Sequence, residues 1–61
     1  MFSLQTLYEQ LTLYCNKIDQ QYTDKYLVEL YQQPDTPIII FVYWNTTTHT
    51  IHSIAYQTKE N

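Results

Sequence analysis

Two histidines and one cysteine are the side chains of this sequence whose types suit metal binding or nucleophilic catalysis. His49 and His52 are three residues apart, and in an extended strand that spacing sends the two side chains to opposite faces. No second cysteine or flanking carboxylate completes a set of zinc ligands. Cys15 follows Leu11 by one helical turn and borders an apolar stripe, where a small buried thiol is the usual role. We therefore expect no metal site, no cofactor and no catalytic residue.

None of the 61 residues is glycine, and this excludes the standard phosphate-binding loops. The P-loop and the dinucleotide fingerprint both need glycine where the backbone approaches a phosphate. A chain this short can hardly form a deep pocket that excludes water, and it offers no glycine loop for an oxyanion site. We therefore predict that the protein is not an enzyme.

The charged residues argue against nucleic acid as a direct partner. The chain has three lysines and no arginine against six acidic residues, for a net charge of −3. Arginine supplies the two-pronged recognition of phosphates and of guanine edges, and a net negative chain repels a polyanion. The acidic residues are scattered, which is typical of a solvated surface rather than of a nucleic-acid mimic.

Length and composition predict one small domain that spans residues 1–61, since a second core would need a longer chain. The lone Cys15 forms no internal disulfide and fits a reducing compartment. The start of the chain has no basic segment before its apolar residues, so we expect no secretory leader. The longest apolar run, Ile38–Trp44, is far shorter than the roughly 20 residues of a membrane-spanning helix. The expected location is the cytoplasm, without membrane contact.

Five apolar side chains near the start of the chain recur at alternating spacings of three and four residues. They are Leu4, Leu7, Leu11, Tyr14 and Ile18. The spacing places them on one stripe of an amphipathic helix, and two heptads are short for a coiled coil. The helix is predicted to begin between Ser3 and Thr6, where Ser3 can cap it, and to end between Ile18 and Gln21.

Three later segments have the composition of β-strands. Ile38–Trp44 is rich in β-branched and aromatic residues, and Lys25–Tyr31 fits strand alternation better than helical spacing. Ile51–Gln57 is predicted as a third strand, because it follows a polar loop and the strand centres near Val28, Phe41 and Ile54 are then equally spaced. Without glycine, the connections Gln32–Pro37 and Asn45–Thr50 must be longer than two-residue hairpin turns. The prediction is an α+β fold, with one N-terminal helix on a three-stranded antiparallel meander. The alternative is two helices plus a β-hairpin, with Lys25–Tyr31 as the second helix.

Both faces of the predicted sheet are apolar, and one helix cannot cover both. Centred loops place Tyr43 opposite His52, and Phe41 opposite both Ile54 and Val28. The helix is expected on the face that carries Tyr26, Val28, Leu30, Ile39, Phe41, Tyr43, His52, Ile54 and Tyr56. A partner or dimer interface is predicted on the other face, at Leu27, Tyr31, Ile38, Ile40, Val42 and Trp44. A slip of one residue in the register would exchange the two lists.

An uncovered apolar face in a small acidic chain favours a protein–protein interaction module that binds a protein partner, itself or both. We expect a cytoplasmic and dimeric protein. Inhibitors encoded by phages or mobile elements and directed at host defence proteins are often of this size and charge, although no residue pattern identifies such a family. The alternatives are a structural accessory subunit of a larger complex and an antitoxin that binds its toxin directly.

Overall fold

The computed structural model describes residues 3–59, and these begin with helix α1, Leu4–Tyr14. Ser3 caps the helix, and its hydroxyl oxygen accepts a hydrogen bond from the Thr6 amide at 3.1 Å. The predicted start is therefore confirmed. The predicted end between Ile18 and Gln21 is wrong, because the backbone turns extended at Cys15.

The residues that follow the helix form a strand that the sequence pattern does not predict. Strand β1, Asn16–Tyr22, is exposed at every position, so its side chains show no buried alternation. Ile18, which fits the spacing of the helical stripe, lies at an irregularity of β1 and is 51% exposed. The sheet therefore has four strands rather than the predicted three.

The sheet is an antiparallel meander with the strand order β1-β2-β3-β4. Its other strands are β2, Tyr26–Gln32, β3, Ile38–Asn45, and β4, Thr50–Thr58. These bounds confirm the three strands expected from composition, and they contradict the alternative of two helices plus a hairpin. The two inner strands, β2 and β3, carry most of the buried residues, whereas β1 and β4 are edges.

The loops supply left-handed backbone without glycine. Asp35 and His49 have φ angles of 62° and 58°, which short polar and histidine side chains tolerate better than most residues do. In the turn from β3 to β4, the Asn45 side-chain oxygen accepts hydrogen bonds from the amides of Thr47 and Thr48 at 2.9 and 3.1 Å. In such a turn, a side chain accepts hydrogen bonds from backbone amides of its own loop. These bonds stabilise a tight turn that would otherwise favour glycine.

The register differs from the predicted one in both strand pairs. Between β2 and β3, Val28 lies opposite Tyr43 rather than the predicted Phe41. Between β3 and β4, the difference comes from a bulge in β4. Tyr43 lies opposite Ser53 and Trp44 opposite Ile51, so His52 is an extra residue with no partner of its own. Phe41 then faces Ala55 instead of the predicted Ile54. A bulge moves every residue beyond it to the other side of the sheet relative to simple alternation.

Each sheet face can now be defined by its residues. We name as the helix face the side carrying Leu27, Glu29, Tyr31, Ile38, Ile40, Val42, Trp44, Ile51, Ile54 and Tyr56. We name as the open face the side carrying Tyr26, Val28, Leu30, Ile39, Phe41, Tyr43, Ser53, Ala55 and Gln57. Helix α1 packs on the helix face, where its Leu11 contacts the core. The predicted position of the helix, on the face of Val28 and Phe41, is therefore wrong.

Candidate functional site

Aromatic and aliphatic side chains meet where α1 crosses the helix face. Leu11 packs with Tyr31 and Val42, and these three are the buried centre of the core. Tyr8 lies edge-on to the rings of Tyr31 and Trp44, with centroids 6.2 and 5.0 Å away. Because each such pair adds about 0.5–1.5 kcal/mol beyond area burial, these contacts fix the position of the helix.

A buried carboxylate lies in the same layer. Glu29 is 8% exposed, and its oxygens accept a hydrogen bond from Trp44 Nε1 at 2.6 Å and a longer one from the Tyr31 hydroxyl at 3.5 Å. Lys17 on β1 forms an ion pair with it, with Nζ 3.0 Å from Oε2. A buried charge needs partners of this kind. The network therefore ties the edge strand β1 to the two inner strands.

The protonation of Tyr31 follows from this packing. Burial raises the pKa of the Tyr31 hydroxyl well above its usual range, and the hydroxyl of Tyr8 and the charge of Glu29 act in the same direction. The two tyrosine oxygens are 3.3 Å apart. Tyr31 therefore stays a neutral hydroxyl near pH 7. Since the Glu29 carboxylate is already paired, we interpret the cluster as structural rather than catalytic.

All six residues predicted for a partner or dimer interface lie on the helix face. Tyr31 and Val42 are buried, and Ile40 and Trp44 pack against the core cluster. Leu27 and Ile38 are half-buried beside them. The six residues do lie together, but α1 packs on their face. The contacts of Tyr8 with Tyr31 and Trp44 hold α1 on this face, so the expectation that these residues would be left uncovered by the helix is wrong.

The open face is the apolar surface that α1 leaves uncovered. Val28 and Phe41 lie near its centre, and no helix of residues 3–59 packs over them. Tyr26 contacts both Tyr43 and His52, with ring centroids 6.3 and 4.9 Å away. The three strands β2, β3 and β4 contribute no charged side chain to this face. The existence of a second apolar face, expected from sequence, is thus a property of the fold.

A groove runs between α1 and strand β4 on the helix face. Its volume is about 420 Å³, and Leu7 of the helix and Tyr56 of the strand are part of its lining. Both side chains are exposed, by 45% and 77%. The floor is apolar, because Ile38, Ile40 and Ile54 also line the groove. No sequence pattern pointed to this groove, since it depends on where the helix lies.

The residues with catalytic or metal-binding chemistry stay apart. His49 lies exposed in the turn after β3, while His52 is stacked on Tyr26. Cys15 is half-buried and packs against the core cluster, in keeping with the structural role expected for it. Within residues 3–59, no group of three histidine, cysteine, aspartate or glutamate side chains is placed to hold a metal ion.

Comparison with known proteins adds no assignment. A scan against protein-family models and searches of curated proteins and of solved structures find no match to this chain. Across the described residues, α1 is neither long enough nor apolar enough to span a bilayer.

Proposed function

We propose that this domain is a protein–protein interaction module and that its open face is the docking surface. The observation that supports the proposal is the set of apolar side chains on the two inner strands, β2 and β3, with no helix over them. Strand β4 adds Ser53, Ala55 and Gln57 beside them. An antiparallel sheet with one solvated face normally alternates apolar and polar residues, so that its outer face is polar. Here the outer face is apolar along β2 and β3, where Val28 is 8% exposed and the apolar side chains around it are half-buried. Contiguous apolar surface that no helix covers is typical of binding sites.

The residue types of the open face suit a protein interface. Phe41, Tyr43 and Tyr26 are half-buried aromatic residues, a class enriched at interface centres. Strands β2 to β4 place no charge on this face, and the charged Asp19 of β1 lies beside Leu30 at its edge. A partner that covers β2 to β4 and leaves β1 free would therefore bury no charged group of this domain. The partner surface is accordingly expected to be apolar and uncharged at its centre. The proposed setting is the cytoplasm, because a single cysteine fits a reducing compartment.

The test compares one variant on the open face with one on the edge strand. Tagged wild-type protein, Phe41→Thr and Tyr22→Thr are used to capture binding proteins from the native host lysate. Tyr22 is the control because it is aromatic, 71% exposed and located on β1. Circular dichroism first establishes that both variants are folded.

We expect one stoichiometric protein to be retained by wild type and by Tyr22→Thr and to be lost with Phe41→Thr. Calorimetry on the purified pair should then give a negative change in heat capacity, the signature of apolar burial. Capture that is equal for all three chains would contradict the proposal. So would the absence of any captured protein.

A further inference from the structure

The two edges of the sheet differ in how well they are protected from further strand pairing. Edge strand β1 carries the charges of Lys17 and Asp19, and its pairing with β2 is irregular between them. Charged side chains and bulges both help to keep an edge from pairing with another chain. Each edge strand has one irregularity, so the charges are what distinguish β1 from β4. Strand β4 has no aspartate, glutamate, lysine or arginine along its nine residues, Thr50–Thr58. After its bulge, the segment Ser53–Thr58 is regular.

The unprotected edge also has exposed apolar side chains beside it. Tyr56 is 77% exposed although it lies on the helix face, and Leu7 of α1 is 45% exposed across the groove from it. A strand added along β4 would cover both side chains and continue the floor formed by Ile54. Apolar side chains, unprotected backbone and a groove thus occur together at one edge of the domain.

We propose that β4 pairs antiparallel with β4 of a second copy, so that two sheets of four strands become one sheet of eight. A two-fold axis through Ala55 places Tyr56 of each copy opposite Ile54 of the other, an aromatic residue against a β-branched one. In this register both helices lie on the same side of the joined sheet. Each groove is then closed by the other copy.

A second copy fits this edge better than a charged segment does. A symmetric interface uses the same segment of both copies, and along β4 that segment carries no aspartate, glutamate, lysine or arginine that the pairing would have to compensate. In this register β4 pairs with itself over residues 52–58, which span about 24 Å at 3.4 Å each. With the shortest molecular extent of 15 Å, the contact covers about 360 Å² per copy. The total of roughly 700 Å² lies well below the standard interface size, so we expect weak association that depends on protein concentration.

The dimer would enlarge the surface available to a partner. In the joined sheet the two open faces lie side by side on the side away from the helices. The inference is independent of the proposed docking function, because it concerns the edge of the sheet and leaves the open face free. Each can fail while the other holds.

Sedimentation equilibrium on the full chain, from about 5 to about 500 µM, tests the proposal. The average mass of wild type should rise with concentration from 7.4 kDa towards twice that value. Tyr56→Lys should weaken association at least about tenfold, since it puts a charge opposite Ile54. Tyr22→Lys is the matched control, a tyrosine of similar exposure on the opposite edge, and it should associate like wild type.

Three results would overturn the β4 pairing. Wild type that stays monomeric over the whole range excludes it. Equal weakening by Tyr22→Lys shows that added charge alone is responsible. Association that is lost with Phe41→Thr but kept with Tyr56→Lys places the second copy on the open face instead.

Amide hydrogen exchange on wild type gives a readout that needs no variant. Exchange within Ser53–Thr58 should slow as concentration rises, because added strand pairing protects backbone amides. Slowing confined to β1 would place the contact on the other edge and contradict the proposal.

Discussion

Replacing Trp44 by phenylalanine tests whether the buried carboxylate beneath the helix is held by specific hydrogen bonds. The change removes the indole N–H that donates to Glu29 at 2.6 Å, and it keeps an aromatic ring against Tyr8. Glu29 is then left, at 8% exposure, with Lys17 and the long contact from Tyr31.

The magnitude follows from the kind of bond that is lost. A hydrogen bond to a charged group contributes about 1.5–3 kcal/mol net. The smaller ring also loses some buried area, which adds roughly 1 kcal/mol. We therefore expect Trp44→Phe to lower the free energy of unfolding by about 2–4 kcal/mol. That is a large share of the roughly 3–9 kcal/mol typical of a domain of this length.

A double-mutant cycle with Glu29→Leu separates the hydrogen bond from the packing. Each single change leaves one buried polar group without its partner, while the double change removes both groups. The coupling free energy should therefore be about 1.5–3 kcal/mol. Urea denaturation followed by far-UV circular dichroism is the assay, because Trp44 is the only tryptophan and its fluorescence is lost. A coupling below about 0.5 kcal/mol would refute the idea that this bond holds the network.

Two further predictions concern the helix and pH. Leu11→Ala should cost about 2–5 kcal/mol of stability, because Leu11 is 6% exposed, while Leu7→Ala should cost about 1 kcal/mol or less at 45% exposure. Equal losses in urea denaturation would contradict the packing of α1. Because the pKa of Tyr31 is raised by folding, the unfolded chain loses this proton first above pH about 10. The free energy of unfolding should then fall by up to about 1.4 kcal/mol per pH unit. Tyr31→Phe should remove this contribution to the pH dependence of the free energy of unfolding. An unchanged pH dependence in the variant would contradict the role assigned to Tyr31.

The sequence predicts the inner part of this fold well and its edges poorly. Ile38–Trp44 and Ile51–Gln57 are recognisable because their residue types favour a pleated, half-buried surface. Strand β1, Asn16–Tyr22, has mostly polar side chains, and its place in the sheet comes from backbone pairing with β2. Ile18 fits the helical spacing by coincidence. Local composition could not reveal a strand that buries nothing.

The two faces of the sheet could be listed from sequence, but their roles could not be assigned. Simple alternation puts Ile54 with Phe41, whereas the bulge at His52 puts Ile54 with Val42. A bulge has no signature in these residue types. The groove beside β4 could not be predicted from the sequence either, since it depends on the position of the helix.

The buried charge of Glu29 gives a physical reason why α1 packs on one apolar face of the sheet and not on the other. On the helix face, Glu29 accepts a hydrogen bond from Trp44 and forms an ion pair with Lys17. The hydroxyls of Tyr8 and Tyr31 contact each other on the same face. A transient partner docking on this face would have to bury the same carboxylate at every encounter. The open face carries no charge on strands β2 to β4, so a partner can cover these strands without desolvating a charged group. Permanent packing by α1 therefore suits the face with the fixed polar network, and reversible docking suits the neutral face.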